Sequence, residues 1–140
     1  MSTTSTSTAA EADVAAVRAG YEAFAKGDLA TLGTLFREDA TWNHRNDDRF
    51  AGVHSGADGI IGFIGESAQL TAGTLRVTPL AFPDDGAGRV PVVVRMTGTR
   101  PDGRALDDLQ IHLFELDDDD RVRAVDQFVG DPAKVTAFWA

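Results

Sequence analysis

The sequence predicts an α+β fold, a cone-shaped barrel of a strongly bent, mostly antiparallel sheet wrapped around three N-terminal helices. Three observations carry that expectation. Apolar residues recur at spacings of three and four from Val14 to Phe36, the mark of helices that bury one face. Beyond residue 70 the pattern turns to long segments with strand periodicity, punctuated by turn residues. The helices come first and the strands after, without the βαβ alternation that a parallel sheet requires. A strongly bent sheet around helices leaves a conical hollow, and concave, mostly apolar hollows with a few polar groups are where small molecules bind.

The elements follow in order. Residues 2–8 are all Ser or Thr, so residues 1–9 are expected to form a disordered tail ahead of a single domain over residues 10–140. From Ala10 the stripe Val14, Val17, Tyr21 and Phe24 predicts a first helix. Gly27 suits its C-terminus, and Asp28 suits the N-cap of a second helix whose inward residues are Leu29, Leu32, Leu35 and Phe36. DATWNH reads as a strand with Ala40, Trp42 and His44 on one face and Thr41 and Asn43 on the other. RNDDRFAGVHSG reads as a loop. A third helix spans residues 58–70, with Ile60, Ile61, Phe63 and Ile64 apolar. Gly59, Gly62 and Gly65 lie on it, each costing about 0.5–1 kcal/mol relative to alanine. Close packing of this helix on the sheet is expected to offset that cost. These glycines sit inside a helix and do not open one after a strand, so they are no dinucleotide motif. Strands are expected at 74–82, 89–99, 105–117 and 121–130, with Pro101 and Gly103 marking the turn between the second and third.

Composition narrows the function. The net charge of −9 argues against nucleic acid or anionic membranes as partners, since phosphate binding needs concentrated Lys and Arg. Without cysteine there are no disulfides, thiolate chemistry or cysteine-ligated metals. No apolar run approaches the length of a membrane span. The start MSTTSTSTAA has neither the basic patch nor the apolar stretch of a signal peptide, and a cytoplasmic location is expected. The three histidines lack HxH or HxxxH spacing, and the Asp117–Asp120 run lacks the alternating ligands of a calcium loop, so no metal site is expected.

Candidate site residues come from facing. His112 lies mid-strand with Gln110, Phe114 and Leu116 on its side. If that face is concave, the imidazole is buried and needs a partner. His44 and Trp42 form a second wall, and Phe63 and Phe128 are further aromatic candidates for holding a flat ligand. His54 is expected to fix its loop or the following helix N-terminus. The partner of His112 on the last strand depends on the turn LDDDDRV. A two-residue loop makes Gln127 its diagonal neighbour, whereas a three-residue loop places Asp126 opposite. Gln127 is the preferred reading and Asp126 stays open. An Asp126 partner would make a more basic imidazole, while Gln127 would leave a neutral one that polarises a carbonyl but makes a poor base. Leu109, Ile111 and Leu113 make the outer sheet face too apolar to leave in water, which predicts a homodimer.

AFAKGDLATLGTLFREDATW and AGVHSG, in this order of elements, resemble the SnoaL-like and ketosteroid-isomerase-like proteins of the nuclear transport factor 2-like superfamily over residues 10–139. The resemblance to ketosteroid isomerases puts His44 where those enzymes carry their general base, and His112 where they carry a protonated aspartate. Their tyrosine aligns with Gly20, one residue from Tyr21. Neither aspartate is kept, so steroid isomerisation is not implied. The resemblance to polyketide cyclases matches their HL pair with His112–Leu113 and puts their catalytic aspartate at Asp126 or Gln127. It implies an isomerase-, cyclase- or dehydratase-type enzyme without metal or redox cofactor. A hydrophobic carbonyl compound, such as a polyketide or terpenoid intermediate, would exchange a proton with a histidine while His or Gln and Tyr21 steady the oxyanion. The same fold also serves non-catalytic dimeric binding or scaffold modules, the latter with a pocket filled by its own side chains.

Overall fold

The computed structural model describes the backbone of residues 3–83 and 88–140, and side chains from residue 11 onward within those ranges. The elements are α1 (Thr3–Ala25), α2 (Leu29–Thr34), β1 (Phe36–Arg45), β2 (Gly52–Ser55), α3 (Gly56–Leu70), β3 (Arg76–Ala81), β4 (Arg89–Thr99), β5 (Ala105–Leu116), β6 (Val122–Phe128) and α4 (Pro132–Trp139). The six strands form one curled sheet in the order β2-β1-β6-β5-β4-β3. β1 and β6 run parallel and every other neighbouring pair is antiparallel. The sheet is therefore mixed and open at β2 and β3, a cone-like curl and not a closed barrel.

Local chemistry explains the joints. Gly27 takes a φ of +71° at the corner after α1, and the Asp28 carboxylate accepts the Thr31 N–H at 3.1 Å to cap α2. On the concave face Ala40, Trp42, Val92, Val94, Phe114 and Val125 pack against Val17, Leu32 and Ile60 from the helices. A second apolar cluster of Phe50, Leu75, Met96, Leu106, Val135, Phe138 and Trp139 sits where α4 covers the far end.

Several elements depart from the sequence reading. β2 lies where a loop was expected: it is four residues long and mostly exposed, so it shows no burial alternation to detect. The fourth helix was missed, although its signals are present. The Asp131 carboxylate accepts the Lys134 N–H, and Pro132 occupies the first turn. Helical backbone in α1 begins at Thr3, upstream of the expected Ala10. Phe36 begins β1 instead of ending α2. Nor does close packing explain the α3 glycines as a set. A Cβ on Gly65 would meet Leu29, but Gly59 and Gly62 face open space. Gly130 is the glycine that packing demands, because a Cβ there would collide with the Leu109 carbonyl oxygen.

Candidate active site

A cavity of about 80 Å³ lies between α1, α3 and the concave face of the sheet. Its walls are apolar, built from residues such as Phe24, Leu35, Phe36, Phe63 and Val77, and four polar side chains break them: Tyr21, Ser67, His112 and Gln127. The volume is small beside the several hundred Å³ of pockets that hold drug-sized ligands.

The polar groups belong to one hydrogen-bonded network whose direction can be worked out donor by donor. The indole N–H of Trp42 can only donate, and it lies 2.9 Å from Gln127 Oε1, so that oxygen is an acceptor. Gln127 Nε2 then donates to Gln110 Oε1 at 2.8 Å. Gln110 Oε1 also faces His112 Nε2 at 3.2 Å, so His112 carries its proton on Nε2. His112 Nδ1 is left as an acceptor, 2.9 Å from the Tyr21 hydroxyl, and that hydroxyl donates to it.

Electrostatics agree with this polarity. Complete burial, and secondarily the nearby His44, lower His112 from 6.5 to about 3 and keep the ring neutral. Burial pushes the Tyr21 phenol well above its ordinary value, so the proton stays on the tyrosine.

Behind Gln127 stands a second layer. His44 Nδ1 lies 2.8 Å from Gln127 Oε1, and His44 Nε2 lies 2.8 Å from Asp48 Oδ2. Each ring nitrogen thus faces an oxygen acceptor. The Asp48 carboxylate also accepts from Asn46 Nδ2 at 2.7 Å and from the Phe50 N–H at 2.8 Å. Burial raises Asp48, but the bonds from His44, Asn46 and Phe50 outweigh it and the net shift is downward. On the other flank, Gln110 Nε2 donates to Asp108, which also takes the N–H groups of Gly130 and Asp131.

The register between β5 and β6 decides which last-strand residue joins. The turn is the three-residue one, with Asp117 N–H bonded to the Arg121 carbonyl and Asp120 at φ +58°. Alone, it would set Asp126 opposite His112. A bulge at Arg123, where Glu115 pairs with Ala124 but Leu116 with Val122, adds one residue to β6. His112 therefore pairs with Gln127 and Leu113 with Asp126.

The sequence profile of the SnoaL-like domain family matches residues 17–125. The chain belongs to this family. A protein of Mycobacterium tuberculosis (strain H37Rv), itself uncharacterised, is 32% identical over 130 residues, 93% of this chain and 98% of that one. Among solved structures, Bal32a from a soil-derived mobile gene cassette is 34% identical, with a TM-score of 0.89 over 94% of this chain and 98% of its own. SalBIII, an epoxide hydrolase/cyclase-like enzyme of pyran ring formation in the polyether salinomycin, is 17% identical with a TM-score of 0.66, over 84% of this chain and 90% of its own. At that identity the likeness shows the fold alone, the nuclear transport factor 2-like one that the sequence resembled.

Within this SnoaL-like domain, Tyr21, Trp42, Phe63, His112, Phe114 and Gln127 all line the cavity. Gln110 is buried behind it as the link between His112 and Gln127. His44 is equally buried but sits one layer back. Two candidates lie elsewhere. Asp126 is on the outer face in an ion pair with Arg45 at 2.9 Å, because the bulge turned it outward. Phe128, also outward, is 41% exposed beneath the Arg45 guanidinium. His54 donates its Nε2–H to the Phe50 carbonyl at 2.8 Å and stacks on Phe63 with ring centroids 4.2 Å apart. It ties down the segment before β2.

Three residues went unread. Asp108 continues the Gln110–His112 face at spacing two, a signal that was available. Asp48 and Ser67 had none, since a loop carboxylate and a helix serine are ordinary. Among the described residues, no group of three or more His, Asp or Glu side chains could hold a metal ion.

Proposed function

We propose that the cavity takes a small, largely hydrophobic carbonyl compound and moves a proton on it by cofactor-free acid–base chemistry of the isomerase, cyclase or dehydratase type. The observation that carries this reading is the Tyr21–His112 hydrogen bond of 2.9 Å in an otherwise apolar cavity. Enolisation is the elementary step common to those reaction types. A proton leaving the substrate is received at Tyr21 Oη as Tyr21 passes its own to His112 Nδ1, and it returns by the same route to another position. Gln127 Nε2 has one N–H committed to Gln110 and a second that can hold the substrate oxygen. Family membership and the enzymatic neighbour SalBIII support a small-molecule role.

The test is hydrogen–deuterium exchange at the α-carbon of small cyclic ketones in D₂O, followed by proton NMR. The protein is expected to accelerate exchange over buffer, and Tyr21→Phe to lower that acceleration by about 100-fold. Exchange at the buffer rate despite binding would sink the catalytic reading.

A second reading, a non-catalytic binding module, is favoured by the small volume of about 80 Å³ and by a His112 lowered to about 3, a weak base. Both readings include a homodimer through the outer sheet face. Leu109, Ile111 and Phe128 are 57%, 47% and 41% exposed there, bordered by the Arg95–Asp107 and Arg45–Asp126 pairs. Sedimentation velocity should show a dimer that Ile111→Lys converts to monomer; a monomeric wild type would refute it. Among the described residues no helix is long and apolar enough to cross a membrane.

A further inference from the structure

We infer that the cavity is polarised to receive a hydrogen-bond donor, so that it selects hydroxyl-bearing ligands (alcohols, phenols or the enol form of a carbonyl compound) over the corresponding carbonyls. The inference deepens the proposed function, on which it rests, by naming the chemical form of the ligand the site holds best.

Its basis is the direction of the buried network. Two hydroxyls line the cavity, and both have committed their protons to protein acceptors. Tyr21 donates to His112 Nδ1 at 2.9 Å, and Ser67 donates to the Ile64 carbonyl at 2.6 Å. What each can still offer a ligand is an oxygen lone pair.

Tyr21 cannot simply reverse. Reversal needs a proton on His112 Nδ1. Moving the existing proton from Nε2 would break the bond to Gln110 Oε1, whose orientation is imposed by Gln127 and finally by the donor-only indole of Trp42. Adding a second proton would put a charge in a fully buried ring near His44, so that state is not held at rest and arises only transiently, when a substrate gives up its own proton to Tyr21.

The remaining polar group is Gln127, whose second N–H is a donor. A hydroxyl satisfies both sides at once, donating to Tyr21 Oη and accepting from Gln127. A carbonyl satisfies Gln127 alone. Tyr21 is thus the residue that sets specificity, and Trp42, Gln127 and Gln110 are positioning residues that hold its polarity through His112.

Cyclopentanol and cyclopentanone, near-isosteres small enough for a compact cavity, make the probe pair. Titration of the ¹⁵N-labelled protein with each should give a dissociation constant for the alcohol at least about tenfold lower than for the ketone. Tyr21→Phe should abolish that ratio, and Ser67→Ala should reduce it. Equal or tighter binding of the ketone by the wild type overturns the inference while leaving the proposed function standing. Binding of neither probe overturns both. One measurement needs no ligand or variant: the ¹⁵N shifts of the His112 ring must show a protonated Nε2 and a bare Nδ1 at neutral pH. The opposite tautomer would overturn the inference whatever the probes do.

Discussion

Acidification from pH 6.5 toward 3 is expected to destabilise the folded protein by about 3–5 kcal/mol through His112 alone. In the unfolded chain this histidine takes up a proton as the pH falls through 6.5, whereas in the fold burial holds it unprotonated down to about 3. Across that window the unfolded state binds more protons, so stability rises with pH and is lost as pH falls. The contribution is complete above pH 6.5. Asp48 adds a separate loss at lower pH. Its carboxyl is shifted below the ordinary 3.8, so the stability it confers is present above that value and disappears as the pH falls through its folded pKa. Urea unfolding midpoints measured from pH 7.5 to 4 should fall steadily for the wild type. His112→Gln, which can still accept from Tyr21 but cannot titrate, should flatten the curve over this range. A wild-type midpoint that stays constant from pH 7 to 4 would show that His112 is not held neutral by burial.

The second large effect belongs to the pair behind Gln127. The side chains of His44 and Asp48 are only 2% and 1% exposed and meet at 2.8 Å. Removing this carboxylate leaves the buried His44 Nε2 without its acceptor, and Asp48→Ala should cost about 3 kcal/mol. It also strips the acceptor from Asn46 and from the Phe50 N–H. Asp48→Asn should cost less, because an amide oxygen can replace part of that acceptance. Asp126→Asn provides the contrast. Its pair with Arg45 is 2.9 Å long but 36% and 49% exposed, so the change should stay within about 1 kcal/mol. Equilibrium urea denaturation of the three variants checks the order. If Asp48→Ala loses no more than Asp126→Asn, the buried-pair account is wrong.

The same two aspartates show where sequence reading reached and where it stopped. The alternation that placed Ala40, Trp42 and His44 on one face, and Gln110, His112 and Phe114 on another, was visible because a strand's side chains alternate whatever the rest of the molecule does. The turn length stayed open, because LDDDDRV allows a two- or a three-residue loop and the fold takes the longer one. The bulge at Arg123 was not legible, since nothing about Arg-Ala-Val marks an extra residue until its partner strand is present. That single residue sent Asp126 to the outer surface and brought Gln127 inward. Asp48 was unreadable for a related reason: a carboxylate in a charged loop is ordinary until β1 and β2 fold around it.

The amino-acid sequence by itself determined the class of fold, most of the strands and helices, the inward position of Tyr21, and the two walls that carry His44 and His112. These depend on periodicity and turn chemistry within a dozen residues. Only the tertiary structure decided the polarity of the site. That polarity begins with an indole N–H meeting an amide oxygen 85 residues away in the chain, and passes through Gln110 and His112 to a tyrosine on the first helix. Each hydrogen bond fixes the sense of the next. A donor's direction is a property of the pair that meets, and the chain brings those pairs together only by folding.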